Sequence, residues 1–304
     1  MKIVILGAGA MGCLYGGHLA KDNEVWLLDV WKGHVDEINR KGLLIEGISG
    51  DRVVKNIKAT TNAADIGVAD VVFVFVKSTI TDLAIIQNKC IFGNNTIVLT
   101  LQNGLGNIDK INQSIDSKNI LAGVTSHGAT MLSPGKIYHA GIGTTHIGEL
   151  DGLVTKRVES IAHILRTAGL ETLISENVSG LIWGKLLVNV GINALTAITG
   201  FKNGELIQNK ETEELLALAV EEAWNIAKAN NIVLSYDDPI YHTKQVCKST
   251  AENRSSMLQD VSNKRKTEID MINGAIVREG KRIGVPTPVN TVLTNLIKAI
   301  ENNY

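Results

Sequence analysis

A run of six residues near the start, Gly7-Ala8-Gly9-Ala10-Met11-Gly12, restricts what this chain can fold into more than any other feature. The apolar stretch Met1–Leu6 leads straight into it, and Leu14–Ala20 behind it has helical character. A strand that turns through G-x-G-x-x-G into a helix builds a seat for a pyrophosphate. Gly7 permits the tight turn, Gly9 lets backbone approach phosphate without a Cβ between them, and Gly12 lets the helix pack close to the strand. The N–H groups at the start of the helix then face the anion. With 29 glycines in the chain the motif alone is weak, so its surroundings decide. A second apolar strand, Glu24–Leu28, ends at Asp29, about where such a unit carries the acid that binds ribose hydroxyls. The competing reading is a glycine-rich turn in some other α/β domain.

Length and composition bound the rest. A chain of 304 residues favours two domains, and 44% hydrophobic content supplies both with cores. A net charge of −1, with no run of lysine or arginine, gives no electrostatic footprint for nucleic acid or an anionic membrane. Cys13, Cys90 and Cys247 are odd in number, widely spaced and without a C-x-x-C pair, so they read as reduced thiols in a cytoplasmic protein. No His/Cys cluster offers a zinc site. A chain that opens on a strand leaves no room for a signal peptide. Val71–Val76 is too short to span a bilayer, and Leu181–Ile198 is interrupted by lysine and asparagine.

The first half alternates strand and helix. Strands are predicted at Ile3–Leu6, Val25–Leu28, Val71–Val76, Thr96–Leu101 and Ile120–Val124, with helical patterns at Asp36–Lys41 and Ile108–Ser114. Their unbroken Val/Ile/Phe content suits a parallel sheet covered on both faces. Gly135–Glu149 reads as short antiparallel strands at the sheet edge, and Leu153–Ala168 as a helix packing back on it. Beyond Ser175 long helical patterns take over: Ser179–Thr199, Lys210–Asn230, Asp237–Lys248, Lys266–Ile283 and Asn290–Asn302. The fold class is therefore α/β: a Rossmann-type dinucleotide-binding domain over 1–173, then an all-α substrate and catalytic domain over 174–304.

The helix around Lys185 carries an odd pattern. Nearly every side chain in it is apolar except Lys185, Asn189 and Asn193, which recur at i, i+4 and i+8 and form one narrow stripe. That stripe is either a solvent face or a polar wall of a binding site; asparagine is a poor helix former, which favours the wall. Asn253, Ser256 and Asp260 again fall on one helical face. Glu268 reads from spacing alone as a dipole-favoured acid in the first turn of a helix capped at Thr267 or nearby. Lys77 and Ser78 end one buried strand, and Gln102 and Asn103 end the next. Both lie at carboxyl ends of parallel strands, where open α/β sheets bind ligands, although ordinary loop polarity gives the same composition.

In order and in separation, these motifs resemble the 2-dehydropantoate 2-reductase (ketopantoate reductase) family over essentially the whole chain. The matching segments are the dinucleotide turn, Val76-Lys77-Ser78, Gln102-Asn103-Gly104, Trp183-x-Lys185-x-x-x-Asn189-x-x-x-Asn193, Asn253-x-x-Ser256-Met257 and Thr267-Glu268-Ile269-Asp270-x-x-Asn273-Gly274. The resemblance implies reduction of 2-dehydropantoate to pantoate, a precursor of pantothenate and coenzyme A, by hydride from NAD(P)H. It implies Lys185 as general acid and Glu268 as its partner on the substrate hydroxyl. Asn189, Asn193, Asn253 and Ser256 match substrate positions, with Asn203 a further candidate. Lys77 and Asn103 match the junction of cofactor and substrate.

The physics agrees: a ketone that accepts hydride becomes an alkoxide, and an ammonium with a reference pKa of about 10.4 both stabilises and protonates it. The family expectation is NADPH, but Asp29 stands where a basic residue would meet the 2′-phosphate. Asp29 favours NADH unless Lys32 folds over the phosphate. The expected partner is a small 2-oxo acid; the long helices can serve as core or as interface, which leaves monomer and homodimer both open. Alternatives are a related dehydrogenase for another small 2-oxo acid, a dinucleotide sensor without chemistry, and a structural α/β protein. A sensor needs neither Lys185 nor Glu268, and a structural role leaves the glycine turn and polar stripe unexplained.

Overall fold

The computed structural model describes residues 1–304 and contains two compact units, Met1–Gln102 with Asn107–Val178, and Asn103–Gly106 with Ser179–Tyr304. In the first unit the elements run β1 (Lys2–Leu6), α1 (Ala10–Leu19), β2 (Glu24–Leu28), α2 (Lys32–Lys41), β3 (Leu43–Gly47), β4 (Arg52–Val54), β5 (Ile57–Thr60), β6 (Val71–Val74), α3 (Thr81–Gln87), β7 (Ile97–Thr100), α4 (Asn107–Asn112), β8 (Ile120–Thr125), β9 (Gly128–Ser133), β10 (Lys136–Gly141), β11 (Thr145–Glu149), α5 (Lys156–Thr167) and β12 (Thr172–Ile174). Eight strands form one sheet in the order β12-β11-β8-β7-β6-β1-β2-β5. All its pairings are parallel except that of β11 with β8.

The unbroken apolar runs follow from burial on both faces. Ile3 and Ile5 of β1 and Val71 and Phe73 of β6 belong to one core, while Val4, Leu6, Val72 and Val74 belong to another on the opposite face. Each fully buried side chain of this kind contributes about 1.5–3 kcal/mol of burial energy. Because β1 lies between β2 and β6, chain direction along the sheet reverses there. Such a switch point opens a crevice beyond the strand ends, the place where this fold class seats a ligand.

The residues 135–149 divide differently from expectation. β10 belongs to a second, four-stranded sheet in the order β4-β3-β10-β9, where it pairs parallel with β3 and antiparallel with β9. β11 is antiparallel to β8 in the main sheet, but the parallel β12 covers it and forms the edge. β3, β4 and β5 were not anticipated, being only three to five residues long. α2 starts at Lys32 rather than 36, and α5 at Lys156 after a Thr155 cap rather than at 153.

The second unit holds α6 (Val178–Thr199), α7 (Lys210–Ala229), α8 (Pro239–Ser249), α9 (Ser256–Ser262), α10 (Asn273–Ile283) and α11 (Pro288–Glu301). Pairing of β12 with β11 keeps residues through 174 with the sheet, so the helical unit begins at Ser179 instead of 174. α6 runs through the core, where Leu187, Val190 and Leu195 pack with Leu216, Val220, Ile276 and Ile297. By length and a mean hydropathy of 1.5 it would suffice to cross a membrane, against the expectation from its polar residues; 67% of that window is buried inside the protein. The expected helix over 266–283 is broken in two. A 3-10 turn at Ile269–Met271 ends at Ile272 (φ −109°, ψ −99°), and α10 starts only at Asn273.

Candidate functional site

The glycine turn in the first unit has the space distribution a pyrophosphate seat requires. Gly7 sits at φ +100°, and a Cβ there would lie 2.5 Å from Val76 N. A Cβ on Gly12 would meet Gly7 O at 2.0 Å. Around Gly9, which forms the N-cap of α1, an added Cβ would meet nothing within 4 Å. Two glycines are thus demanded by packing, and the third borders open space at a helix start with no acidic residue in its first turn. Ala8 lies in the turn, and Ala10 and Met11 open α1.

Asp29, at the end of β2, is held by two backbone donors. Ala8 N–H donates to Oδ2 at 2.7 Å, and Trp31 N–H to Oδ1 at 2.9 Å. An ionised carboxylate accepts about four hydrogen bonds, so capacity remains for ribose hydroxyls. Lys32 is turned to Asp36 at 2.8 Å, an exposed i,i+4 pair. Lys77 follows β6, is exposed, and starts the 3-10 turn Ser78–Ile80. Gln102 clamps these strand ends, donating to Val76 O at 2.6 Å and Thr81 Oγ1 at 2.8 Å. These groups fit a nicotinamide dinucleotide: glycine cradle, fixed carboxylate and strand-end polar groups lie around the switch point.

In the second unit, α6 carries Lys185, Asn189 and Asn193 on one face. Asn193 is 4% exposed and the other two are half-buried, which rules out a solvent face. Burial lowers the Lys185 ammonium from its ordinary value to about 8, and the Glu268 carboxylate opposes a further fall. Glu268 does not occupy a helix first turn; it stands immediately before the 3-10 turn. Thr267 donates by N–H and by hydroxyl to the buried Glu301 carboxylate, both at 2.7 Å. Asn103 joins this unit through its loop: Leu105 N–H donates to Met271 O at 2.9 Å, and a Cβ on Gly104 would lie 2.3 Å from the same oxygen.

Asn253 and Ser256 do not share a helical face. Asn253 lies outside α9, exposed, with its carbonyl accepting from Asn203 N–H at 3.0 Å. Ser256 is exposed in the first turn. The serine that caps α9 is Ser255, buried, receiving Leu258 N–H at 3.0 Å and bonded to Thr196 Oγ1 at 2.7 Å. The cap breaks the helix that would have aligned 253 with 256. Asn203 is 8% exposed, donates to Thr250 Oγ1 at 2.9 Å, and leaves a buried carboxamide oxygen without a partner. Sequence reasoning missed the Gln102 clamp and the Ala8–Asp29 bond, since both join residues more than twenty positions apart.

Two family profiles cover the chain, ketopantoate reductase PanE/ApbA over residues 3–152 and its C-terminal partner over 177–301. The chain belongs to the ketopantoate reductase family. A 2-dehydropantoate 2-reductase of Pyrococcus horikoshii is 39% identical, with 99% of this chain and 98% of the relative covered. That of Halobacterium salinarum is 34% identical over the full length of both. Among solved structures, a PanE/ApbA family ketopantoate reductase from Ralstonia eutropha superposes with a TM-score of 0.93 at 35% identity, covering 100% and 99% of the chains. A D-mandelate dehydrogenase held with NADH and anilino(oxo)acetate also gives 0.93, at 31% identity and the same coverage. Family membership fits each unit by itself: a dinucleotide seat on the sheet unit and a lysine–glutamate pair on the helical unit.

Proposed function

We propose that this chain reduces the ketone of 2-dehydropantoate to the alcohol of pantoate, with Lys185 as the proton donor. The observation that carries the reading is the Lys185 ammonium itself: the one charged side chain of a largely apolar helix, lowered by burial to about 8 against the opposing pull of Glu268. An acid poised near the working pH both stabilises a developing alkoxide and releases a proton to it. Gly7, Ala8, Gly9, Ala10, Met11 and Gly12 would hold the pyrophosphate, Asp29 the adenosine ribose, and Lys77 and Asn103 the nicotinamide end. Bound there, the reduced dinucleotide supplies the hydride.

Lys185 Nζ meets the substrate oxygen, neutralises it as charge develops, and gives up one proton. Glu268 accepts a hydrogen bond from the substrate hydroxyl and keeps Lys185 protonated. Asn189, Asn193, Asn203, Asn253 and Ser256 orient the acid through neutral donors that do not compete for the proton.

We infer NADH as the preferred form. The fixed Asp29 carboxylate repels a 2′-phosphate carrying about −1.5 to −2 charges, and Lys32 is engaged by Asp36. The D-mandelate dehydrogenase likeness supports a second reading, in which the substrate is an aromatic 2-oxo acid. Oxidation of NADH followed in the presence of 2-dehydropantoate, and separately of phenylglyoxylate, tests both. Turnover of 2-dehydropantoate at much the higher kcat/KM is expected. No turnover with it, and efficient turnover with phenylglyoxylate, would replace the first reading by the second.

A further inference from the structure

We propose that Trp31 is the stacking platform for the adenine ring of the dinucleotide, an inference that rests on the dinucleotide reading of the glycine turn. Trp31 stands two residues beyond Asp29, the carboxylate assigned to the adenosine ribose. It is 47% exposed, unusual for an indole, and its ring is stacked on His34 with centroids 5.3 Å apart and planes at 16°. One face of the indole is therefore covered and the plate retains exposed surface.

The ring that backs the plate, and the plate's own backbone, are held by their neighbours. His34 is 0% exposed. Gly135 N–H donates to its Nδ1 at 2.9 Å, so in the neutral ring Nε2 bears the hydrogen and directs it at Cys13 Sγ, 3.3 Å away. The Cys13 thiol in turn donates to Ala8 O at 3.2 Å. Trp31 N–H is held by Asp29 Oδ1, and Trp31 O accepts from the backbone N–H of His34 and Val35. The indole, the ribose carboxylate and the glycine turn thus form one connected set. A rigid aromatic plate with exposed surface beside a ribose-binding acid suits a purine, because every base has a π face that stacks without loss of side-chain freedom.

The test uses ADP-ribose, which carries the adenine, ribose and pyrophosphate but no redox-active ring, on the intact protein. Calorimetric titration should show Trp31→Ala binding ADP-ribose about tenfold more weakly than wild type, a difference of about 1.4 kcal/mol. Trp31→Phe should stay within threefold of wild type yet lose the quenching of tryptophan fluorescence that ADP-ribose causes in the wild type. If Trp31→Ala is poorly folded by its thermal midpoint, Trp31→Leu, which keeps apolar bulk without a π face, is read in its place. A loss under threefold in the aliphatic variant overturns the platform while leaving the dinucleotide reading intact. Failure of the wild type to bind ADP-ribose at all overturns both.

Discussion

Replacing Glu268 by glutamine should act through the ionisation of Lys185 rather than through the fold. The Lys185 ammonium stands at about 8 because burial lowers it and the Glu268 charge pulls the other way. A neighbouring opposite charge typically moves a pKa by about 1–3 units, so loss of the carboxylate should lower the amine further, each unit being a tenfold change in acidity. The proton donor must be charged, and kcat/KM for reduction therefore falls as pH rises through this value. At pH 7.5, close to the wild-type value, the variant should therefore lose activity several-fold from ionisation alone. At pH 6, where more of the variant's amine is protonated, the loss should be smaller. Any hydrogen bond that Glu268 accepts from the substrate adds a loss that does not vary with pH. The assay is the pH profile of kcat/KM for ketone reduction by both proteins. A falling limb that stays near 8 in Glu268→Gln, with the same loss at every pH, would refute the electrostatic coupling.

The glycine turn predicts two opposite outcomes. Gly9→Val, with open space around its Cβ, should keep its thermal midpoint and lose dinucleotide binding, whereas Gly12→Ala, 2.0 Å from Gly7 O, should cost about 3 kcal/mol of folding stability. Unchanged cofactor titration in the first, or unchanged melting in the second, contradicts the assignment. Asp29→Ala should move preference toward NADPH, and identical kcat/KM ratios for the two cofactors in wild type and variant would end the repulsion argument. His127, bonded to His139 at 3.2 Å, is lowered by burial to about 4, and burial also lowers His139 and His18. Folded values below the unfolded value mean that the unfolded chain takes up the extra protons. Stability is therefore complete above about pH 6.5 and is lost as pH falls toward 4. Allowing for the partial exposure of His127, its share is on the order of 1–2 kcal/mol. Melting of His127→Gln between pH 6.5 and 4 should be less pH-dependent than wild type, and parallel curves would remove His127 from the explanation.

The parts of the fold legible in the sequence were those set by local pattern. Val71–Val74 shows its double-sided burial as an uninterrupted apolar run, and the glycine turn declares both the helix after it and the switch point beside it. The Lys185–Asn189–Asn193 stripe was visible because asparagine is costly in an exposed helix. Non-local pairing was not visible. Residues 43–60 form three short strands whose partners include β10, nearly a hundred positions away, and nothing in their own composition names that partner. The division of the 266–283 helix at Ile272 also escaped detection, because Ile269 and Ile272 keep helical spacing while the backbone between them does not. Ser255 was overlooked in favour of Ser256 for a related reason: which of two adjacent serines caps a helix depends on where the preceding turn, tied by Asn203 to Asn253, delivers the chain.

The central claim is that a lysine amine on the helical unit protonates the oxygen of a 2-oxo acid during reduction by a bound dinucleotide. Steady-state reduction of 2-dehydropantoate by Lys185→Ala, measured beside calorimetric titration of NADH and ADP-ribose, tests it most directly. A fall in kcat/KM of about 10²–10⁴ with dinucleotide affinity within twofold of wild type is the predicted result. Near-normal turnover, or a loss confined to cofactor affinity, would contradict it.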